Sequence, residues 1–102
     1  MIRKVFLSPR AEAQIAEMHA YICGQSGEAR ADMVIDRLLG ACLGLDMFPA
    51  RGSPRDDIHP GLRIIGFRRQ ATIAFVIEAE RVVVHGILGR GQDIGRLFDD
   101  ED

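Results

Sequence analysis

The sequence predicts an α+β fold in the order β-α-α-β-β-β, with a helical hairpin on one face of a sheet and a short helical turn near the C-terminal end. Three observations carry this. Residues 62–88, LRIIGFRRQATIAFVIEAERVVVHGIL, alternate with a period of two and are rich in β-branched side chains, as strands are. Residues 9–47 instead repeat apolar side chains every three or four positions, the period of an amphipathic helix. Three of the four prolines fall between these regions, at 49, 54 and 60, and mark a loop.

Arg3–Leu7 reads as a first strand, with Val5 and Leu7 on one side and Lys4 and Phe6 on the other. Ser8-Pro9 then opens a helix. Ser8 is a good N-cap, and proline suits the first helical position because the N–H it lacks has no partner there. Helix one is expected over about Pro9–Gly24, with Ala11, Ile15, Met18 and Ile22 on one face. Gln25-Ser26-Gly27 reads as a short turn. Helix two is expected over about Glu28–Met47, with Ala31, Val34, Ile35, Leu38, Cys42 and Leu45 as its apolar stripe and Pro49 as its stop. So short a turn between two helices implies an antiparallel hairpin.

Leu62–Gly66, Ala71–Glu78 and Arg81–Leu88 form an antiparallel meander. Ala71, Ile73, Phe75 and Ile77 share one face of its middle strand. In the last strand, Val82, Val84, Gly86 and Leu88 alternate with Val83, His85 and Ile87. Both faces of the meander are largely apolar, so both are expected to be covered: one by the hairpin, the other by a partner. Ile94–Phe98 reads as a terminal helical turn. The chain is one domain, residues 1–98, and the acidic tail 99–102 is expected to fray.

Composition narrows the function classes. Net charge is −2, but residues 9–48 hold three Arg against six acids, and residues 51–90 hold seven Arg against four. Twelve of the 13 basic residues are Arg, which binds carboxylate or phosphate through a planar fork. The overall balance argues against a dedicated polyanion binder. Cys23 and Cys42 form no metal-ligand spacing and read as buried thiols, and His19, His59 and His85 are scattered. No cofactor or metal is expected. No apolar run approaches the ~20 residues of a membrane span, and no signal peptide is visible at Met1-Ile2-Arg3-Lys4, so the cytoplasm is the expected location.

Several ordered segments carry a family likeness. They are Leu7-Ser8-Pro9-Arg10-Ala11, Ala20-Tyr21-Ile22, Ser26-Gly27, the stretch ARADMVIDRLL from Ala29 to Leu39, and Phe48-Pro49. Gly52-Ser53-Pro54-Arg55, Pro60-Gly61-Leu62-Arg63, Phe67-Arg68-Arg69 and the strand Thr72–Ile77 complete the set. Together they resemble the ParE toxins of the RelE/ParE superfamily of bacterial toxin–antitoxin modules. The resemblance implies that the first strand inserts beside the last, giving a four-stranded, antiparallel-type sheet. Family members close with Gly-Gly-Arg-Asp or Ala-Arg-Asp. This chain has Leu88-Gly89-Arg90-Gly91-Gln92-Asp93, with Gln92 where the family has Arg.

The resemblance implies a toxin that inhibits DNA gyrase by binding it and is neutralised by a ParD-like antitoxin, with no direct sequence-specific nucleic-acid binding. A binding toxin needs only a shaped, charged surface, and Arg63, Arg68, Arg69 and Arg90 are the candidates for it. Solvated turn arginines are the competing reading. An amphipathic antitoxin segment would meet the hairpin stripe at Ile15, Met18, Ile22, Leu38 and Leu45, for which an intramolecular core is the competing reading.

A RelE-like, ribosome-dependent mRNA endoribonuclease is the alternative. It needs a base, an acid and cationic stabilisation on one surface, from Glu78, His85 and the same arginines. A decayed toxin that only binds its antitoxin is the third reading. No residue is assigned as catalytic.

Overall fold

The computed structural model describes residues 4–47, 50–89, 92 and 94–98. Strand β1 (Lys4–Leu7) leads into helix α1 (Pro9–Ser26) through Ser8, whose extended backbone and side chain start the helix. Ser8 Oγ accepts a 3.0 Å hydrogen bond from the Ala11 N–H, and Pro9 takes the first turn. The same hydroxyl donates to the His85 carbonyl at 3.0 Å, and the Ser8 N–H donates to the Val84 carbonyl at 2.9 Å. One residue therefore caps α1 and fastens it to the sheet.

Helix α1 runs to Ser26, two residues beyond the expected end. Gly27, at φ 92°, donates its N–H to the Cys23 carbonyl and is at once the N-cap of α2 (Glu28–Leu43). A glycine enters this positive-φ conformation at little steric cost, so a single residue turns the hairpin. His19 of α1 and Asp32 of α2 meet at 2.7 Å across it. Helix α2 stops at Leu43, short of Met47, and tightens into a 3₁₀ turn at Gly44–Asp46. Gly40 and Gly44 weaken the α-helical tendency there, and 3₁₀ turns commonly finish such helices.

Among the described residues the sheet has five strands, β1, β2 (Ser53–Pro54), β3 (Leu62–Phe67), β4 (Ala71–Ile77) and β5 (Arg81–Gly89), in the order β1-β5-β4-β3-β2. Strands β3, β4 and β5 are the expected meander. The first strand does lie beside the last, but it runs parallel to it, with Lys4 opposite Arg81 and Leu7 opposite Val84. The sheet is therefore mixed. The extra strand, β2, pairs antiparallel with β3 from within the proline-rich loop, and two residues are too few to show a period in sequence. Gly52, at φ 73°, lets the loop approach: a Cβ there would run into the Ile64 carbonyl.

The hairpin covers one face of the sheet. Ala11, Ile15, Val34, Ile35, Leu38, Cys42 and Leu45 pack on Phe67, Ala71, Ile73, Phe75, Val82, Val84 and Ile87. On strand β5 the expected alternation fails. Ala74 pairs with Gly86 and Phe75 with Val84, which leaves His85 as the extra residue of a β-bulge. The bulge shifts the phase, so Ile87 joins Val82 and Val84 beneath the helices and Leu88 turns to the opposite face.

That opposite face is covered by the chain itself rather than left to a partner. Leu62, Ala74 and Leu88 pack with Leu97, and Ile58, Ile94 and Phe98 close over them. The terminal 3₁₀ turn, Ile94–Arg96, delivers these last residues, and the Arg10 guanidinium holds the turn by donating to the Leu97 carbonyl at 2.8 Å. The Phe98 ring stacks on His59 (4.1 Å between centroids, 9° apart) and lies tilted beside His85. Residue Arg90 and the acidic tail lie outside the described residues.

Candidate functional site

Strand β1 has four residues and β5 has nine, so β5 continues past its parallel neighbour with an open edge. Helix α1 passes over this edge without sealing it. Between them lies an open groove of about 590 Å³. Its floor is Ile87 and the flank of α1 at Met18 and Ile22, and its rim is polar: Gln14, Glu17, Gln70 and Gln92. Two side chains quiet the exposed strand edge. Gln14 Oε1 accepts from the Ile87 N–H at 2.7 Å, and Gln92 Oε1 accepts from the Gly89 N–H at 2.6 Å. Gln92, the residue that departs from the family pattern, thus finishes β5. Tyr21, 69% exposed on the outer turn of α1, stands at the groove mouth.

The β3–β4 turn forms the remaining wall. Gln70 N–H donates to the Phe67 carbonyl at 2.9 Å, closing a two-residue loop whose central residues, Arg68 and Arg69, have φ of 50° and 60°. Positive φ at both positions is the type I′ turn, favoured because its twist matches that of the strands. Asn-Gly normally fills it. A side chain with a Cβ in the left-handed region costs roughly 1–2 kcal/mol per residue. Arg69 borders the groove, whereas Arg68 does not.

The sequence-derived candidates therefore separate. Met18 and Ile22 reach the groove from α1, and Arg69 faces them from the turn. Ile15 (9% exposed), Leu38 (0%) and Leu45 (1%) are core residues and offer no surface, because the stripe they share is the one that packs on the sheet. Arg63 is engaged with its own chain: its guanidinium donates to the carbonyls of Arg51 (2.9 Å) and Gly52 (3.3 Å), tying down the loop that carries β2. Arg90 lies outside the described residues.

The parts named for RNA cleavage do not converge. Glu78 pairs with Arg81 at 2.6 Å, at the β4–β5 end of the sheet. Arg68 and Arg69 sit at the other end of seven-residue β4, about 20 Å away at ~3.3 Å per residue. His85 projects from the bulge against Phe98. Among the described residues no group of three or more His, Cys, Asp or Glu is placed to hold a metal ion. Burial pushes the Cys42 thiol up to about 11, which marks it as inert core rather than nucleophile.

Sequence reasoning missed Gln14, Glu17, Gln70 and the placement of Tyr21. The signal for three of them was present: Gln14, Glu17 and Tyr21 recur, with Met18, at helical spacing beside the core stripe. Their partner across the groove is non-local and has no such signal.

Comparison with known proteins places this geometry. Residues 5–94 match the family described as the ParE toxin of the type II toxin–antitoxin system parDE. Among solved structures, the fold is similar to one titled as the chromosomal ParDE TA system from P. aeruginosa, at a TM-score of 0.76 and 15% identity. That match spans 86% of this chain and 96% of the other. None of the curated proteins matches in sequence. With nine-tenths of its length inside the family match, and the helical hairpin on a mixed sheet that such a toxin shares, the chain belongs to the ParE toxin family of type II toxin–antitoxin systems.

Proposed function

We propose that this chain is the toxin of a type II toxin–antitoxin module, that it inhibits DNA gyrase by binding, and that a cognate ParD-like antitoxin neutralises it in the cytoplasm. The observation that carries the reading is the groove beside the arginine turn. It has an apolar floor at Met18, Ile22 and Ile87, a polar rim, and a guanidinium at its edge. An amphipathic segment with alternating apolar and acidic side chains fits such a groove, and strand-edge or helix-in-groove docking are the usual modes. Binding needs surface alone. Cleavage needs acid, base and cation within reach of one phosphate, and Glu78, His85 and Arg69 are spread over both ends and an outer face of the sheet.

The test is a supercoiling and DNA-cleavage assay with purified gyrase, using antitoxin-free protein and the antitoxin complex as control. Inhibition relieved by antitoxin is the expected result. A folded protein without effect on gyrase that instead cleaves mRNA in a translating extract would replace this reading with the nuclease one. A folded protein inert in both assays, yet bound by antitoxin, would identify a chain that has kept only its partner.

A further inference from the structure

Arg68 and Arg69 are the only non-glycine residues at positive φ among the described residues. The hairpin leaves them no freedom to relax. Gly66 pairs with Thr72 and Phe67 with Ala71, so the register on both sides fixes a two-residue loop, and the sheet twist then selects the type I′ geometry. Asn-Gly would satisfy that geometry without strain. Arginine brings a Cβ and no short polar group to bond locally. Within the fold nothing offsets the strain: among the described residues neither guanidinium has a hydrogen-bond or ion-pair partner. Strain that persists without an internal return clusters at sites of function.

We infer that the Arg68–Arg69 turn is the specificity-determining contact of the toxin, holding two guanidinium groups for carboxylates on the protein it inhibits. The inference rests on the binding-toxin reading and assigns the contact within it. The rest of the strand-and-loop half favours a protein over a nucleic acid as the partner. Arg55 is bound to Asp57, Arg63 to the Arg51 and Gly52 carbonyls, and Arg81 to Glu78. A polyanion would need a run of uncommitted cations, and the chain as a whole carries −2. Two uncommitted guanidinium groups on a fixed backbone turn suit two carboxylates, each in the bidentate geometry that arginine favours. The two residues also differ. Arg69 borders the groove and Arg68 does not. A segment seated in the groove therefore covers half of the contact, and neutralisation acts by masking.

The experiment compares the wild type with R68N/R69G, R68A and R69A, each expressed as the full chain with and without antitoxin. R68N/R69G is the fold-safe variant, because Asn-Gly is the preferred pair for this turn. Its thermal midpoint is expected to rise while gyrase inhibition weakens about a hundredfold, the size of two lost charge-assisted contacts. R68A is expected to weaken inhibition and leave antitoxin affinity unchanged; R69A is expected to weaken both. A stable R68N/R69G protein that still inhibits gyrase and arrests growth like the wild type overturns the inference and leaves the binding-toxin reading standing. A lower midpoint for R68N/R69G overturns the strain on which it rests. Arginine-dependent, steeply salt-sensitive binding to duplex DNA without gyrase overturns the choice of a protein partner. A wild type that leaves both gyrase and growth untouched removes the binding-toxin reading and the inference with it.

Discussion

Gln14 and Ile87 are 73 residues apart in sequence and are joined by a 2.7 Å hydrogen bond from the strand's N–H to the side-chain amide of the helix. This contact decides the character of the open β5 edge. An unpaired strand edge templates pairing with other chains. Here a helix side chain occupies its donor, and the edge becomes the floor of a groove.

Replacing Gln14 with Ala is expected to destabilise the protein by about 1 kcal/mol, the net worth of a typical hydrogen bond, since water can reach the groove and recover part of the loss. Amide hydrogen exchange at Ile87 is expected to accelerate more than at Val82, which lies inside the paired part of the strand. Equal acceleration at both positions would mean that the whole strand depends on this bond.

Ser8→Ala removes an N-cap and a hydroxyl that donates across the fold to the His85 carbonyl. The expected loss is about 1–2 kcal/mol, at the upper end for a cap because two bonds go together. Ser8→Gly keeps the backbone but not the hydroxyl, and chemical denaturation of both variants separates the cap from the helix entry.

Groove and core residues are expected to respond oppositely. Tyr21→Ala should weaken antitoxin binding about tenfold while barely moving the unfolding midpoint, because truncating an exposed anchor in a docking groove falls mainly on affinity, whereas Met18→Ala should lower both, since Met18 also packs on the core. Leu38→Ala should cost about 2–5 kcal/mol of stability through the cavity it opens under α2. Isothermal titration and urea unfolding on the same three variants check both halves.

The two thiols give a pH test. Cys42 is fully buried and its thiol is pushed up to about 11, whereas Cys23 is half-exposed. Iodoacetamide at pH 8 is expected to modify Cys23 and spare Cys42 until the protein unfolds. The sign of the stability effect follows from the same shift. The folded thiol holds its proton more tightly than the unfolded one, so its contribution is complete below pH 9 and is lost as pH rises toward about 11. Cys42→Ala should flatten the alkaline limb of the stability profile.

Much of this architecture was legible because its signals are local. Ser8-Pro9 announces a helix start, the spacing of Ile15, Met18 and Ile22 announces its buried side, and the period of two from Ala71 to Ile77 announces a central strand. What escaped depends on distant partners. The bulge at His85 exists only relative to β4, and the parallel course of β1 only relative to β5. Strand β2 is two residues long and shaped by Gly52. The site was half legible for the same reason. Arg68 and Arg69 were identifiable as a charged turn, but their backbone conformation follows from loop length and sheet twist. Ile15, Leu38 and Leu45 were legible as members of the apolar stripes, and their packing on the sheet makes them core rather than a surface for the antitoxin.

The closure of the sheet sets an order in time. Ser8 binds the carbonyl of His85, 77 residues further along, and among the described residues β1 pairs with no strand but β5. At about 5–20 residues per second, a ribosome takes about 4–15 s to make the segment between them. Through that interval the first strand waits, and the groove, which needs Ile87 and Gly89 of β5, does not exist. A nascent chain of this topology offers no groove to a partner until its last strand has emerged.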